Sequence, residues 1–206
     1  DWVTLTYLDA SALESLNFVF NDNIAASGYT YEYAFVPVVG GTEGNYITNT
    51  IGAKFDGVFI CDLDTIYKFY AGVEYGTQER VQKIGVFEPY GRKYPVVVSN
   101  GLINYSTGSF SGTILPPNYF DDKVLNRVQM VQQKEQLMDF LTNKKAKILK
   151  DWNGNCWLMI IVDNPAVSYA KNSGMGIADA EANWIELGDW NNQSDLYNNG
   201  ILEEAE

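Results

Sequence analysis

The sequence predicts a mainly β fold: an antiparallel β-sandwich or barrel with one amphipathic helix over about residues 122–142 and a further β region at the N-terminus. Three observations predict it. Apolar runs flank an Asn-Gly pair in residues 94–105 and an Asn-Gly-Asn turn in residues 147–162, and such turns are strong hairpin signals. Aromatic residues make up 14% of the chain, and Tyr and Phe favour strands. Helical periodicity extends over only one long stretch.

The N-terminal region, residues 1–88, is expected to consist of short strands. Residues 2–7 read as a first strand, and the absence of an initiating Met indicates a piece of a longer protein. Residues 29–38 alternate as a half-buried strand does, and Pro37 ends this strand or places it at a sheet edge. The overlapping residues 27–33 resemble the late strand of a fibronectin type III module.

Three more strands are predicted before the middle of the chain, over residues 55–62, 67–75 and 81–87. Pro89 and Gly91 then interrupt the pattern, as residues at a boundary do. We therefore expect two domains: a β-rich region over residues 1–88, fibronectin-like in its first half, and a second domain over residues 89–206.

The predicted helix follows the first predicted hairpin, at residues 94–105. Its apolar residues recur at three-, four- and seven-residue steps and are expected to face a sheet: Val124, Val128, Val131, Met138 and Leu141. Asp121 is a candidate N-cap, and Lys144 and Lys145 follow the C-terminal end, where positive charge is stabilising.

The second predicted hairpin, over residues 147–162, has a second strand that is apolar on both faces. Such a strand is expected to be covered by the helix on one face and by a sheet or a neighbouring subunit on the other. A last short strand is predicted over residues 183–187.

The charge of the chain argues against general nucleic-acid binding. The net charge is −12 and the pI is about 4.4, whereas proteins that bind phosphates carry clustered Lys and Arg. Residues 174–206 contain acids and no Lys or Arg, while residues 144–150 contain four lysines and no acid. One interpretation is that both segments are solvated surfaces; the other is that they are complementary subunit surfaces or that the acids line a channel. Cys61 and Cys156 are expected to be buried, reduced thiols.

The residues that catalysis or cofactor binding needs are scarce. The chain has no histidine, which removes the usual general base and most transition-metal sites, and no Cys-x-x-Cys pair for structural zinc. Nucleotide-binding glycine motifs are absent. Carboxylate pairs such as Asp62 with Asp64, or Glu186 with Asp189, occur by chance in so acidic a chain. Residues 151–155 resemble part of a calcium loop, but a hairpin turn explains them better. We expect no enzyme activity, cofactor or metal.

Three residues are candidate interface residues: Trp152, Trp190 and Arg92. Trp152 lies at a predicted hairpin tip and Trp190 lies in a Gly-Asp-Trp-Asn-Asn segment, so both are expected to be exposed. Exposed Trp marks protein interfaces more often than sugar sites. A sugar-stacking platform built on the two tryptophans is the alternative.

Residues 87–98, the helix at 122–142 and residues 146–158, taken in this order, resemble a tail or baseplate protein of a bacteriophage or contractile particle. The similarity is to distal-tail proteins, whose ring-forming domain shares the tail-tube fold, and it covers about residues 87–202. It implies an antiparallel β-sandwich with one flanking helix. It also implies six-fold or three-fold rings around the tail channel, with other tail proteins above and below.

The same resemblance implies a structural role that joins tube to baseplate or fibres, without catalysis. It places the protein in the virion tail, assembled in the host bacterial cytoplasm, with DNA passing through the channel unbound and no membrane partner. A carbohydrate- or receptor-binding β-sandwich remains the second hypothesis, and a hydrolase with an acid pair the third.

Overall fold

The computed structural model describes residues 2–11, 17–169 and 176–202. Twelve strands are found in these residues: β1 Thr30–Phe35, β2 Val38–Val39, β3 Thr42–Glu43, β4 Ile47–Gly52, β5 Val58–Cys61, β6 Ile66–Phe69, β7 Glu74–Tyr75, β8 Glu79–Phe87, β9 Val96–Ile114, β10 Lys147–Asp151, β11 Cys156–Tyr169 and β12 Ala178–Gly188. The helices are α1 Tyr119–Asp122, α2 Arg127–Thr142 and α3 Gln193–Asn198.

Eight of the strands form one antiparallel sheet in the order β6-β5-β10-β11-β12-β9-β7, and β8 also pairs with β9. The first and last strands of this order, β6 and β7, are joined by only four residues, so the sheet curls strongly. Within the turn between them, the carbonyl of Ala71 accepts the N–H of Thr113 at 3.0 Å. The predicted mainly β fold with one substantial helix is confirmed, although the described strands do not close into a barrel.

The concave side of the sheet encloses the main core. Strand β12 lines it with Ala178, Ala180 and Ala182 and then with Trp184, all buried. The small alanines leave room for larger side chains, and the rings of Phe69 and Phe110 fill part of that room, with centroids 5.7 Å apart. Helix α2 covers this core with Leu137, Phe140 and Leu141, and Met130 near its start is also buried.

A second core lies on the opposite side of β10, and segments distant in sequence cover it. Ile148 packs there with Ala26, with Leu196 of α3 and with the residues that follow α3. The Nζ atom of Lys150 donates to the carbonyl oxygens of Asn23 and Ala25, both at 2.6 Å. All five residues of β10 are buried. The neighbouring strand β11, for which a sheet or a neighbouring subunit was considered as cover, places Met159 in the main core and Leu158 in the second core, so segments of this chain cover both faces there.

The predicted boundaries of the helix were wrong at its start. Lys123, with φ of 55°, ends α1 in the left-handed region, and α2 begins at Arg127 after an N-cap. The side chain of that N-cap, Asn126, accepts the N–H groups of Val128 and Gln129. Because the helix restarts there, its buried face runs through Met130 and Leu137. The first three residues of the predicted stripe are exposed, Val124, Val128 and Val131, whereas its last two, Met138 and Leu141, pack on the core as predicted.

The predicted hairpin over residues 94–105 was also wrong. Residues 96–105 belong to the single strand β9, which pairs with β8 along its N-terminal part. The pairing jumps from Gln82 with Asn104 to Ile84 with Ser99, so the Asn-Gly pair lies in a bulge and not in a turn. The apolar runs on its two sides both find β8 as partner. The expected domain boundary at 88/89 falls at the turn between these paired strands.

Other predictions of strands had mixed outcomes. The hairpin of β10 and β11 is confirmed, with Lys150 opposite Cys156 and Lys147 opposite Met159. Strand β12 begins earlier than predicted, at Ala178. Residues 2–7 form no strand, since none of the described segments pairs with them. Residues 30–52 form a separate two-stranded sheet of β1 and β4, with the short β2–β3 pair at its tip.

Candidate functional site

A long and largely exposed two-stranded ribbon extends over residues 79–107, and we call it the arm. It consists of β8, a turn over residues 88–95 and the first part of β9. Within the described residues, β8 pairs only with β9, and residues 96–106 of β9 pair only with β8. Both outer edges of the arm therefore carry unpaired backbone groups.

Both faces of the arm are apolar. Because residues opposite each other in an antiparallel pair share a face, Val86 and Val97 lie on one face and Phe87 and Val96 on the other. Val86, Phe87 and Val97 are each 58% exposed. The arm carries further exposed apolar or aromatic side chains: Ile84, Tyr90, Tyr94, Val98, Leu102 and Ile103.

Two hydrogen bonds fix the root of the arm to β12 of the body, and a third joins the two strands of the arm at that root. The carboxylate of Glu186 accepts the N–H of Ser106 at 2.5 Å, just beyond the point where β12 stops pairing with β9. The hydroxyl of Thr107 donates to the carbonyl of Trp184 at 2.8 Å, and the guanidinium of Arg80 donates to the hydroxyl of Ser106 at 3.4 Å. The arm is thus anchored at its base, while its length projects from the body.

The tip of the arm places Arg92 in an exposed turn between two exposed tyrosines. Tyr90 and Tyr94 are 107% and 71% exposed, and the Nζ atom of Lys93 lies 5.4 Å from the centroid of the Tyr94 ring. Gly91, with φ of 84°, allows the turn that presents them. Tyr and Arg are the residue types that dominate binding energy at protein interfaces.

A second ribbon, residues 30–52, is called the N-terminal hairpin. One of its faces is polar, with Glu32 opposite Thr50, and the other is apolar, with Phe35 opposite Ile47. All six residues of β4 are exposed, Ile47 by 67%. Within the described residues, β1 and β4 pair only with each other, so both of their outer edges are also unpaired.

The base of the N-terminal hairpin is held by tyrosine hydroxyls. Tyr33 donates to the carboxylate of Asp22 at 2.8 Å, and Tyr31 accepts the N–H of Ala26 at the same distance. Burial, and then the Asp22 carboxylate, raise the pKa of Tyr33, so this phenol stays protonated and remains a donor. The apolar face near Tyr31 and Tyr33 is therefore partly covered, whereas the outer end near Ile47 is open.

The two ribbons carry charge of opposite sign. The arm contains four basic and two acidic residues, a net charge of +2: Arg80, Lys83, Arg92 and Lys93 against Glu79 and Glu88. The N-terminal hairpin contains Glu32 and Glu43 and no Lys or Arg, a net charge of −2. Since the whole chain has a net charge of −12, the arm is a basic segment on a protein whose remainder has a net charge of −14.

The two candidate tryptophans occupy different environments. Trp152, in the turn after β10, is 54% exposed. Trp190 is partly buried in the second core, and its ring packs edge-on against that of Tyr29, with centroids 5.3 Å apart. Sequence reasoning selected Arg92 at the tip of the arm but missed the arm itself. The pattern that could have found it is the apolar stretch of residues 81–87, matched by a second one directly after the Pro-Tyr-Gly turn.

Three of the four carboxylates considered for catalysis accept backbone hydrogen bonds: Asp62, Glu186 and Asp189. Asp62 accepts the N–H groups of Asp64 and Thr65, Asp189 accepts that of Asn191, and Glu186 holds the root of the arm. Cys61 and Cys156 are free and buried, as expected. Across the described ranges, no three His, Cys, Asp or Glu side chains are grouped so that they could hold a metal ion.

Lys147 is a fully buried lysine that has no carboxylate partner among the described groups. Its Nζ atom donates to the side-chain oxygen of Asn143 at 2.6 Å and to the carbonyl of Lys145 at 2.8 Å, and it lies 4.8 Å from the centroid of the Phe140 ring. Burial lowers the pKa of Lys147 to about 8. The charged form is therefore destabilised in the folded protein.

The variant Lys147→Met is expected to raise the free energy of unfolding at pH 7 by about 1–3 kcal/mol, because the buried charge is replaced by an apolar side chain of similar length. The unfolded chain keeps an ordinary lysine pKa near 10.5, so above pH 8 it binds a proton that the folded chain does not. The contribution of Lys147 to the free energy of unfolding of the wild type therefore rises with pH between 8 and 10.5. The variant lacks this titrating group and shows no such rise from position 147. Urea denaturation from pH 7.0 to 9.5 should show that the difference in free energy of unfolding between Lys147→Met and the wild type becomes smaller as the pH rises. A difference that stays constant over this range would contradict the lowered pKa of Lys147.

No protein-family model matches the sequence, and no curated protein matches it. None of the described helices is long and apolar enough to cross a membrane.

Proposed function

We propose that this protein is a structural subunit of a phage tail or baseplate, which uses the arm to assemble into rings around the tail channel. In this role it joins the tube to the baseplate or fibres and catalyses no reaction. The observation that carries the proposal is the arm: a ribbon with two apolar faces and two unpaired edges. A two-stranded ribbon of this kind is marginally stable in water by itself, so a partner surface is expected to cover it.

Ring formation is the simplest way to cover such a ribbon in every copy. Each subunit receives a neighbour's ribbon and contributes its own, so a closed ring leaves no copy with an uncovered edge. The resemblance of residues 87–202 to distal-tail proteins supports three or six copies and a location in the virion tail, after assembly in the host cytoplasm. The acidic net charge of −12 suits a channel through which DNA passes without binding.

The proposal is tested by the mass of the purified protein in solution, measured by light scattering, with negative-stain images of the same fractions. The wild type is expected to form rings of three or six copies. The triple variant Ile84→Thr, Val86→Thr and Val97→Thr removes apolar surface but keeps the β-branched residues that strands favour, so it should fold and remain a monomer.

A shortened arm provides a second test. Gln82 and Asn104 are directly paired, so residues 83–103 can be replaced by Asn-Gly to close a short hairpin. This variant should also be monomeric, with a far-UV spectrum that retains the strands of the body. A monomeric wild type at about 100 μM, or rings that persist without the arm, would overturn the proposal.

A further inference from the structure

We propose that the arm of one copy packs on the N-terminal hairpin of the next copy, which makes the contact between subunits head-to-tail. This inference rests on the proposed function and deepens it by naming the partner surface of the arm. The partner is thus a second copy of this chain, and the two ribbons are the two halves of one interface.

Charge selects this pairing over the symmetric ones. Two arms in contact would bring net charges of +2 together, and two N-terminal hairpins would bring net charges of −2 together. An arm against an N-terminal hairpin brings +2 against −2. Complementary charge favours the correct partner, and like charges in contact cost several kcal/mol in protein interfaces.

Shape and hydrogen bonding fit the same pairing. The arm offers a flat apolar face through Ile84, Val86 and Val97, and the N-terminal hairpin offers one through Phe35 and Ile47. Both ribbons also have unpaired backbone edges, so edge-to-edge pairing between copies gives these groups backbone partners and brings the two apolar faces side by side in one sheet. Since all six residues of β4 are exposed, a neighbouring strand could bury surface along its whole length.

The exposed valine stripe before and on α2 is a weaker partner for the arm. Val124, Val128 and Val131 are exposed there, but the charges beside them are mixed. Lys134 and Glu135, for example, already form an ion pair at 2.9 Å. This surface therefore lacks the excess of negative charge that would attract the arm.

A contact between two different surfaces has a consequence for symmetry. Head-to-tail contacts generate a ring when the rotation closes and an open filament when it does not, whereas a two-fold dimer requires one surface to contact itself. Every copy in the ring then uses its arm once and its N-terminal hairpin once.

The test exchanges charge between the two surfaces. One variant carries Lys83→Glu and Arg92→Glu on the arm, and the other carries Glu32→Lys and Glu43→Lys on the N-terminal hairpin; all four side chains are exposed. Each variant alone should associate about tenfold or more weakly than the wild type at 50 mM salt. In an equimolar mixture the two variants should associate with each other, because each reversed surface then meets its complement on the other variant. They should alternate, so a ring recovered in the mixture contains an even number of copies, such as six.

A matched control is Lys144→Glu with Lys145→Glu, which changes the net charge as much as the arm variant does but lies outside both ribbons. It should assemble like the wild type. The pairing of the arm with the N-terminal hairpin would be overturned if both reversed variants assembled with wild-type affinity, or if their mixture stayed unassembled. In either case, rings of the wild type would still support the proposed function. A wild type that never assembles would overturn both.

Discussion

Replacement of Trp184 by alanine is expected to lower the free energy of unfolding by about 3–5 kcal/mol. Trp184 is fully buried in the main core, where its ring centroid lies 5.4 Å from that of Trp157. A Cβ atom added to Gly108 of β9 would lie 3.0 Å from the indole, so the strand approaches the ring closely. The alanine would leave a cavity between two strands that rigid neighbours cannot fill.

The loss in this variant should come from packing alone. The indole Nε1 of Trp184 has no hydrogen-bond partner among the described residues, so the alanine removes no hydrogen bond. Trp184→Phe is therefore the matched control, and its larger side chain should limit the loss to about 1–2 kcal/mol. Urea denaturation monitored by far-UV circular dichroism measures both values, and a loss below 1 kcal/mol for Trp184→Ala would contradict the cavity argument.

Asp151→Ala is expected to lower the free energy of unfolding by about 3 kcal/mol or more, because it leaves several donors without an acceptor. The buried carboxylate of Asp151 accepts the N–H groups of Asn153 and Asn155 at 2.9 and 3.0 Å. It also accepts the side-chain amide of Asn155 at 2.8 Å and the hydroxyl of Tyr75 at 3.4 Å. One side chain thus organises the β10–β11 turn and ties it to β7.

Asp151→Asn separates the shape of the side chain from its charge. Its amide oxygen can still accept the N–H groups of Asn153 and Asn155, while its NH2 group cannot accept from the Asn155 amide. An intermediate loss is expected, and Tyr75→Phe should cost less than either change at Asp151, since it removes only the longest of the four bonds. Thermal and urea unfolding of the four proteins should rank wild type, Tyr75→Phe, Asp151→Asn and Asp151→Ala in order of decreasing stability; any other order would reject this account of the turn.

Local sequence signals predicted the β10–β11 hairpin, since the turn around Gly154 and the apolar runs beside it act between near neighbours. The same type of signal failed at Asn100–Gly101, because a competing strand, β8, pairs with the chain on both sides of it. The helix was predicted, and so was the buried face of its second half, but the residues predicted to be buried near its start are exposed. The left-handed break at Lys123 separates α1 from α2, so the helical spacing that starts at Val124 does not continue into α2.

The candidate site was predictable only in part. Arg92 was selected from the sequence, but the exposure of its arm depends on where β12 stops pairing with β9, which is a tertiary feature. The alternation in residues 29–38 predicts a half-buried strand, and β1 is one only at its base. The segments that cover β10 could not be predicted from the sequence, because the contact of Lys150 with Asn23 joins residues that are 127 positions apart.

The position of β10 between β5 and β11 also has a consequence for synthesis on the ribosome. Cys61 of β5 pairs with Ile148 of β10, and 87 residues separate them. At ordinary rates of translation, β5 waits on the order of ten seconds for that neighbour, with an apolar edge open to other chains. Because β10 is synthesised late, the edge of β5 stays open to aggregation until the second half of the chain has been made.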